Sequence, residues 1–320
     1  MGIAFSFGLG WLAISGLDWG GVANQFQDFP TGYTLLTLVL FIGATVLRAY
    51  RWQVLFLREK VSLPRLFMVQ NVGIGLNNLV PIRVFGEVAQ FALLRWRYRV
   101  NGGTAIATLG LERVLDLVVT ATLLMAGLAL LSNKGDFLPY VVGAFAVAIA
   151  SVGMVRVFVW ASNKPLLNRL NTVTAAADSL SALARAKGTL AYSLLLTLAY
   201  WVTVGICGWI LASGMELGIS PFVTTIAILG TLYLVTSLPA LPAALGTFEF
   251  AVVYVLKIFD VPQELAFSYA LVLHGILFLP PIVIALASLP FLGLHSLRRR
   301  ESVEAEPVFP LTVSTGSPNG

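Results

Sequence analysis

Charge is what this sequence has least of. Only 11% of its 320 residues are charged, against roughly 25% in soluble domains, while 58% are hydrophobic and the mean hydropathy is +0.88. That balance excludes an ordinary soluble domain. A single cysteine, Cys207, excludes an internal disulfide framework or a cysteine-built metal site. Two histidines offer no cluster with metal-ligand spacing, no GxxxxGK[ST] loop is present for nucleotide hydrolysis, and no Ser–His–Asp set is legible. No cofactor and no enzymatic activity are therefore expected. The formal excess of +5 is read as membrane topology, with no nucleic-acid partner.

What is present is apolar length. A bilayer-spanning helix takes about 20 mostly apolar residues, and the runs 31–49, 104–131, 138–160, 188–212 and 265–292 qualify. The opening stretch MGIAFSFGLGWLAISG lacks a cationic leader and reads as a first span rather than a cleaved signal. Two further apolar regions are broken. Residues 66–94 contain NVGIGLNNLVPIRVFGE and residues 222–259 contain SLPALPAALGTFE, with Pro81, Gly86, Pro239, Pro242 and Gly246 as the breaks. Read as re-entrant hairpins, with both termini cytoplasmic, they put 16 of the 20 Lys and Arg on the cytoplasmic side. Arg83 and Arg113 then lie within the membrane, and Asp18, Asp28, Asp136, Glu216, Asp260 and Glu264 face outward. The expected fold is an all-α integral membrane protein of about six full transmembrane helices plus two re-entrant hairpins. It forms one membrane domain over 1–297, and a polar, disordered cytoplasmic tail is expected over 298–320. Irregular backbone at membrane depth is tolerated only where protein buries it or a wet cavity lines it, so the hairpins mark a cavity.

The chain also resembles itself. At an offset of 162 residues Glu87 falls on Glu249, and LGLERVLDL (109–117) falls on LVLHGILFL (271–279), which sets Glu112 on His274. Under the topology above, the copies at about 62–131 and 219–292 are inverted relative to each other, a signature of alternating-access transporters.

Ionisable residues inside such runs are costly and mark either pathways or internal pairs. Thr104, Thr108, Glu112, Asp116 and Thr120 recur every four residues and form one polar stripe on a helix. Arg113 lies about 100° from Glu112 and about 60° from Asp116, so all three can face the interior together. Arg83 and Glu87 form a second cluster after the first break. Two readings follow. In the functional one, Arg83 and Arg113 hold an anionic group while Glu87, Glu112 and Asp116 position them or take protons. In the structural one, pairs such as Glu87–Arg113 lock helices together. Glu249 begins a half-helix, where a carboxylate either caps the helix or serves transport. His274 is a hydrogen-bonded packing residue or a titrating one. Trp52, Trp96 and Trp160 read as interfacial anchors.

The segments RAYRWQVLF, NNLVPIRVFGE, LERVLDL, LPALPAALGTFEF and ALVLHGILFLPP resemble the successive motifs of the lysylphosphatidylglycerol synthase transmembrane-region family, the flippase-like domain proteins, over residues 35–292. The resemblance points at Arg83, Gly86, Glu87, Glu112, Arg113, Asp116, Gly246 and Glu249. Three departures from the family pattern are present. Phe85 lengthens the first motif by one residue, Gln90 stands where an Arg is common, and Ala243–Ala244 replaces a Gly-Gly pair. Given the resemblance, the expected function is movement of an anionic phospholipid or a polyprenyl- or isoprenoid-linked lipid between leaflets of the cytoplasmic membrane, without ATP hydrolysis of its own. With no room for a soluble aminoacyl-transfer domain by residue 320, synthase activity is not expected. The expected partners are membrane lipids. A scaffold for a lipid-modifying enzyme or glycosyltransferase, and a transporter of a small soluble anion, are the alternatives.

Overall fold

Apolar runs of this length bury backbone polarity only by folding as helices, and the computed structural model follows that rule. It describes residues 2–27, 29–80, 84–131, 138–162, 171–237 and 242–304, and among them there is no strand. Pro81, Arg83 and Pro239 lie outside the described residues, as does the tail from 305.

The five long runs are helices: α3 (Thr31–Val54), α6 (Gly102–Leu131), α7 (Leu138–Ser162), α9 (Lys187–Gly214) and α12 (Gln263–Glu304). Within them Thr31–Val54, Lys187–Gly214 and Gln263–Ser288 are long and apolar enough to cross a membrane. The opening stretch differs from expectation. It forms α1 (Gly2–Ile14), 13 residues long and short of the about 20 needed for a full crossing. The chain then turns through Gly16, in the left-handed region at φ 79°, and Asp18 accepts from the Gly20 amide to cap α2 (Trp19–Asn24).

Both broken regions are two-part helices. The first is α4 (Leu63–Leu79) and α5 (Val84–Ala92), continued by a π-helical turn at Leu93–Arg97; the second is α10 (Pro221–Ser237) and α11 (Thr247–Lys257). The offset of 162 residues that carries Glu87 to Glu249 also carries the start of α5 to within one residue of α11, and that of α6 to within one of α12. Packing follows the same order: α4 lies against α12, α10 against α6, and α3 against α9. Small residues permit these approaches, as in membrane helix pairs generally. Gly75 of α4 sits so close to the Pro281 carbonyl of α12 that no side chain would fit. Gly103 of α6 packs equally close to the backbone of α8 (Asn171–Arg185) at Ala175.

Two apolar clusters result. One joins Phe41, Tyr200, Leu211, Phe248, Tyr269 and Leu273; the other joins Trp52, Leu66, Val69, Leu94, Ala105 and Leu180. Trp96 and Trp160 are exposed, as anchors should be. Trp52 is not: it is fully buried and packs on Phe56, because α3 continues five residues past the expected end at 49 and carries Trp52 inward.

Candidate functional site

The polar stripe of α6 faces inward where expected: Thr108 and Glu112 are buried and Asp116 is nearly so. Their partners are Arg48 and Arg51 of α3, which the topology read from the sequence counts among the 16 cytoplasmic Lys and Arg. Arg51, 0% exposed, donates through Nη1 to Asp116 Oδ1 at 2.6 Å, and through Nη2 to Glu112 Oε1 at 2.9 Å and Asp116 Oδ2 at 3.1 Å. Arg48 reaches the same carboxylates at 3.3 and 3.4 Å. From α9, Trp201 Nε1 donates to Asp116 Oδ1 at 3.0 Å and Thr197 Oγ1 accepts from Arg51 Nη1 at 3.1 Å. The Tyr200 ring lies under both guanidinium groups at 5.5 and 5.7 Å, a cation–π geometry.

Two positive and two negative groups thus neutralise one another at the junction of α3, α6 and α9. Each carboxylate carries several charge-assisted bonds, which is what an ion cluster out of water requires. Chemically this is a clasp. The signal for it was present: two acids four apart on one stripe need two cations, and Arg48 and Arg51, three apart, share one face of a helix.

Arg113 does not join this cluster. It points away from it and donates from Nη2 to Glu87 Oε1 at 2.9 Å, with the two side chains 43% and 39% exposed. Glu87 is held from its other side by Asn77, whose Nδ2 donates to Glu87 Oε2 at 3.1 Å while its Oδ1 accepts from the Gly86 amide at 2.7 Å. Asn77 therefore ties the end of α4 to the first turn of α5 across the break. Asn77→Ala removes that cap and is expected to lower stability by about 1 kcal/mol, the usual cost of a lost cap, measurable by denaturant unfolding in detergent.

The second break repeats the device with other residues. Ala243 and Ala244 adopt φ 53° and 59° and Gly246 φ 77°, a run of left-handed backbone that only glycine takes without strain. Glu249 Oε2 accepts from the Gly246 amide at 2.7 Å, and Oε1 meets His274 Nδ1 of α12 at 2.6 Å. Glu249 thus caps its half-helix and pairs with His274, both residues buried. His274 also packs edge-on to Phe248 and against Phe278, at ring distances of 5.0 and 4.4 Å. Of the expected breaks, Pro242 opens a short 3-10 turn, Pro242–Ala244. Gly86 allows α4 and α5 to touch: a side chain there would overlap the Gly73 carbonyl and Asn77.

An open pocket of about 430 Å³ lies between the end of α3 and the start of α4, lined by Gln53, Glu59, Lys60 and Arg65 among others. None of the charged groups within the long helices borders it.

Comparison with proteins of curated function returns no match. The family model described as the lysylphosphatidylglycerol synthase TM region matches residues 1–285. The chain is a membrane protein and belongs to the lysylphosphatidylglycerol synthase transmembrane-region family.

Proposed function

We propose that the protein moves a lipid with an anionic headgroup between leaflets, without hydrolysing ATP itself. The observation that carries this reading is the Glu87–Arg113 pair. Arg113 stands about 17 Å along α6 from its start, given 1.5 Å per residue, yet both side chains are about two-fifths exposed. Around them Val84, Phe85, Val88 and Leu117 are exposed apolar side chains. An ion pair at that depth, set among lipid-facing residues, suits a substrate whose head is charged and whose tail is not. A headgroup phosphate would compete with Glu87 for Arg113, while its acyl chains follow Val84 and Val88 in the bilayer. Insertion of a charge at the centre of a membrane helix costs at least about 2.5–3.5 kcal/mol, so an exposed pair there calls for a purpose beyond packing.

The matching organisation of the two halves supports an inverted repeat, with each broken helix packed on the long helix of the other half. Movement then follows alternating access, downhill or coupled to an ion. Glu112 and Asp116 fall to the clasp rather than to the route, because Arg48 and Arg51 already occupy them.

Arg113→Gln tests this. In vesicles of phosphatidylcholine with a fluorescent phosphatidylglycerol, the variant is expected to move probe at least tenfold more slowly than the native protein. Its unfolding should hardly change, since an exposed ion pair contributes roughly 0–1 kcal/mol. Probe moving at the native rate would reject the site. A collapse of stability would instead favour a scaffold whose charged residues are structural.

A further inference from the structure

Glu87 and Glu249 occupy matching positions in the two halves, and each does the same two things. One oxygen, Oε2, is tied to the break before its half-helix, through Asn77 in the first half and the Gly246 amide in the second. The other, Oε1, holds a basic group on the following long helix: Arg113 at 2.9 Å and His274 at 2.6 Å. Only their surroundings differ. The first pair is 43% and 39% exposed, the second 9% and 8%.

The second pair has a cover that the first lacks. Helix α1 lies over the opening turn of α11, with Ser6 Oγ 3.1 Å from Thr247 Oγ1. A side chain at Gly246 would come within 2.6 Å of the Ser6 carbonyl oxygen and 3.1 Å of Gly10 Cα. At its other end α1 is held to α12 by Gln263, whose Nε2 donates to the Ala13 and Ser15 carbonyls at 3.2 Å each. The Gln263 contacts lie at or near the surface, and the contacts named here between α1 and its neighbours α11 and α12 are hydroxyl, carbonyl and backbone packing with no ion pair, so the cover can be lifted without breaking a charged cluster.

Resting on the translocation reading, we propose that Glu249–His274 is a second station for the phosphate of the lipid headgroup, closed in this conformation by α1. The conformation described here is the one in which the first station is open. In the alternate one α1 moves off the second break, and the phosphate passes to His274. A buried acid–base pair with no such task would be a poor use of the membrane interior, where an apolar pair of like volume serves packing as well or better.

A reversible tether tests it. In a Cys207→Ser background, which removes the only native cysteine, Ser6→Cys and Thr247→Cys are introduced together, at positions whose side-chain oxygens are 3.1 Å apart. Cβ atoms about 3.5–4.5 Å apart suit a disulfide. Oxidised protein, with the cross-link verified by mass, should move fluorescent phosphatidylglycerol at least tenfold more slowly than reduced protein, and reductant should restore the rate. Retention of phosphatidylglycerol by the detergent-purified protein should survive oxidation, since the first station still loads. His274→Gln should likewise slow movement and keep retention, whereas Arg113→Gln should lose retention. Equal rates oxidised and reduced would overturn the second station while leaving translocation standing. A tether that strips lipid from the protein would overturn it too, because α1 would then support the first station. Native protein that moves no probe would instead refute the translocation reading, and this inference with it; the Cys207→Ser parent, changed at a buried position, is first matched to the native rate.

Discussion

Arg51→Met is expected to destabilise the protein by about 3–5 kcal/mol, the cost of breaking a buried ion pair by removing one partner. Arg51 is wholly buried and supplies the two shortest bonds to the Glu112 and Asp116 carboxylates, at 2.6 and 2.9 Å, and a third at 3.1 Å. Without it, the two carboxylates share one cation, Arg48, whose contacts at 3.3 and 3.4 Å are at the long end for a charge-assisted bond, and Asp116 keeps only the neutral Trp201 donor besides. Thr197 loses a donor as well. Methionine fills much of the volume, so the loss reports charge rather than a cavity. The diagnostic companion is Arg51→Met with Glu112→Gln. That pair of changes leaves one cation, Arg48, facing one anion, Asp116, and restores neutrality. The double variant should therefore be more stable than the two single losses summed, by a coupling of about 1–3 kcal/mol. Unfolding in detergent by heat or denaturant gives both numbers. A single variant within about 1 kcal/mol of the native protein would show that the clasp is not what joins α3, α6 and α9.

The same cluster shows where sequence reasoning reaches and where it stops. Periodicity and length were enough for the five long helices, because an apolar run in lipid has little choice but to be one. The four-residue spacing of Thr108, Glu112 and Asp116 was enough to place them on one inward face. What the pattern could not supply was their partners. Arg48 and Arg51 stand at the end of an apolar run, where cations ordinarily meet headgroups. Only the continuation of α3 to Val54, packed against α9, turns them inward. Trp52 was misread for the same reason. Arg113 was misread in the other direction: 60° from Asp116 on a helical wheel is close in angle, but the side chain follows Glu87, which the α4–α5 hairpin brings alongside. The Glu87–Arg113 pair of the structural reading does form, joining α5 to α6 at 2.9 Å, but it is about two-fifths exposed, and the buried ion cluster lies elsewhere. In α1 the apolar stretch was counted as a span when Ile14 ends its helix.

Gly86→Ala is expected to cut lipid movement more than tenfold although it alters neither Arg113 nor Glu87. The half-helix α5 has nine residues, too few to persist alone, and it holds its place by lying against α4. At the point of contact a Cβ on residue 86 would overlap the Gly73 carbonyl oxygen and sit 2.5 Å from Asn77 Cγ and 2.6 Å from its Nδ2. Gly73 cannot yield, because its carbonyl belongs to the helix backbone. Asn77 cannot yield without giving up the two bonds, to Gly86 and to Glu87, that close the break. Overpacking of this kind costs about 1–3 kcal/mol, and most of it falls on the hairpin. Displacing α5 by even one ångström moves Glu87 relative to Arg113, since the first rides on α5 and the second on α6. Gly43→Ala is the control: position 43 lies in α3 with nothing within 4 Å of an added Cβ. There the change should leave movement unaltered and stability equal or better by up to about 1 kcal/mol, the helix preference of alanine over glycine. Native-like transport by Gly86→Ala would mean that the hairpin does not hold Glu87 in register, and that Arg113 works without it.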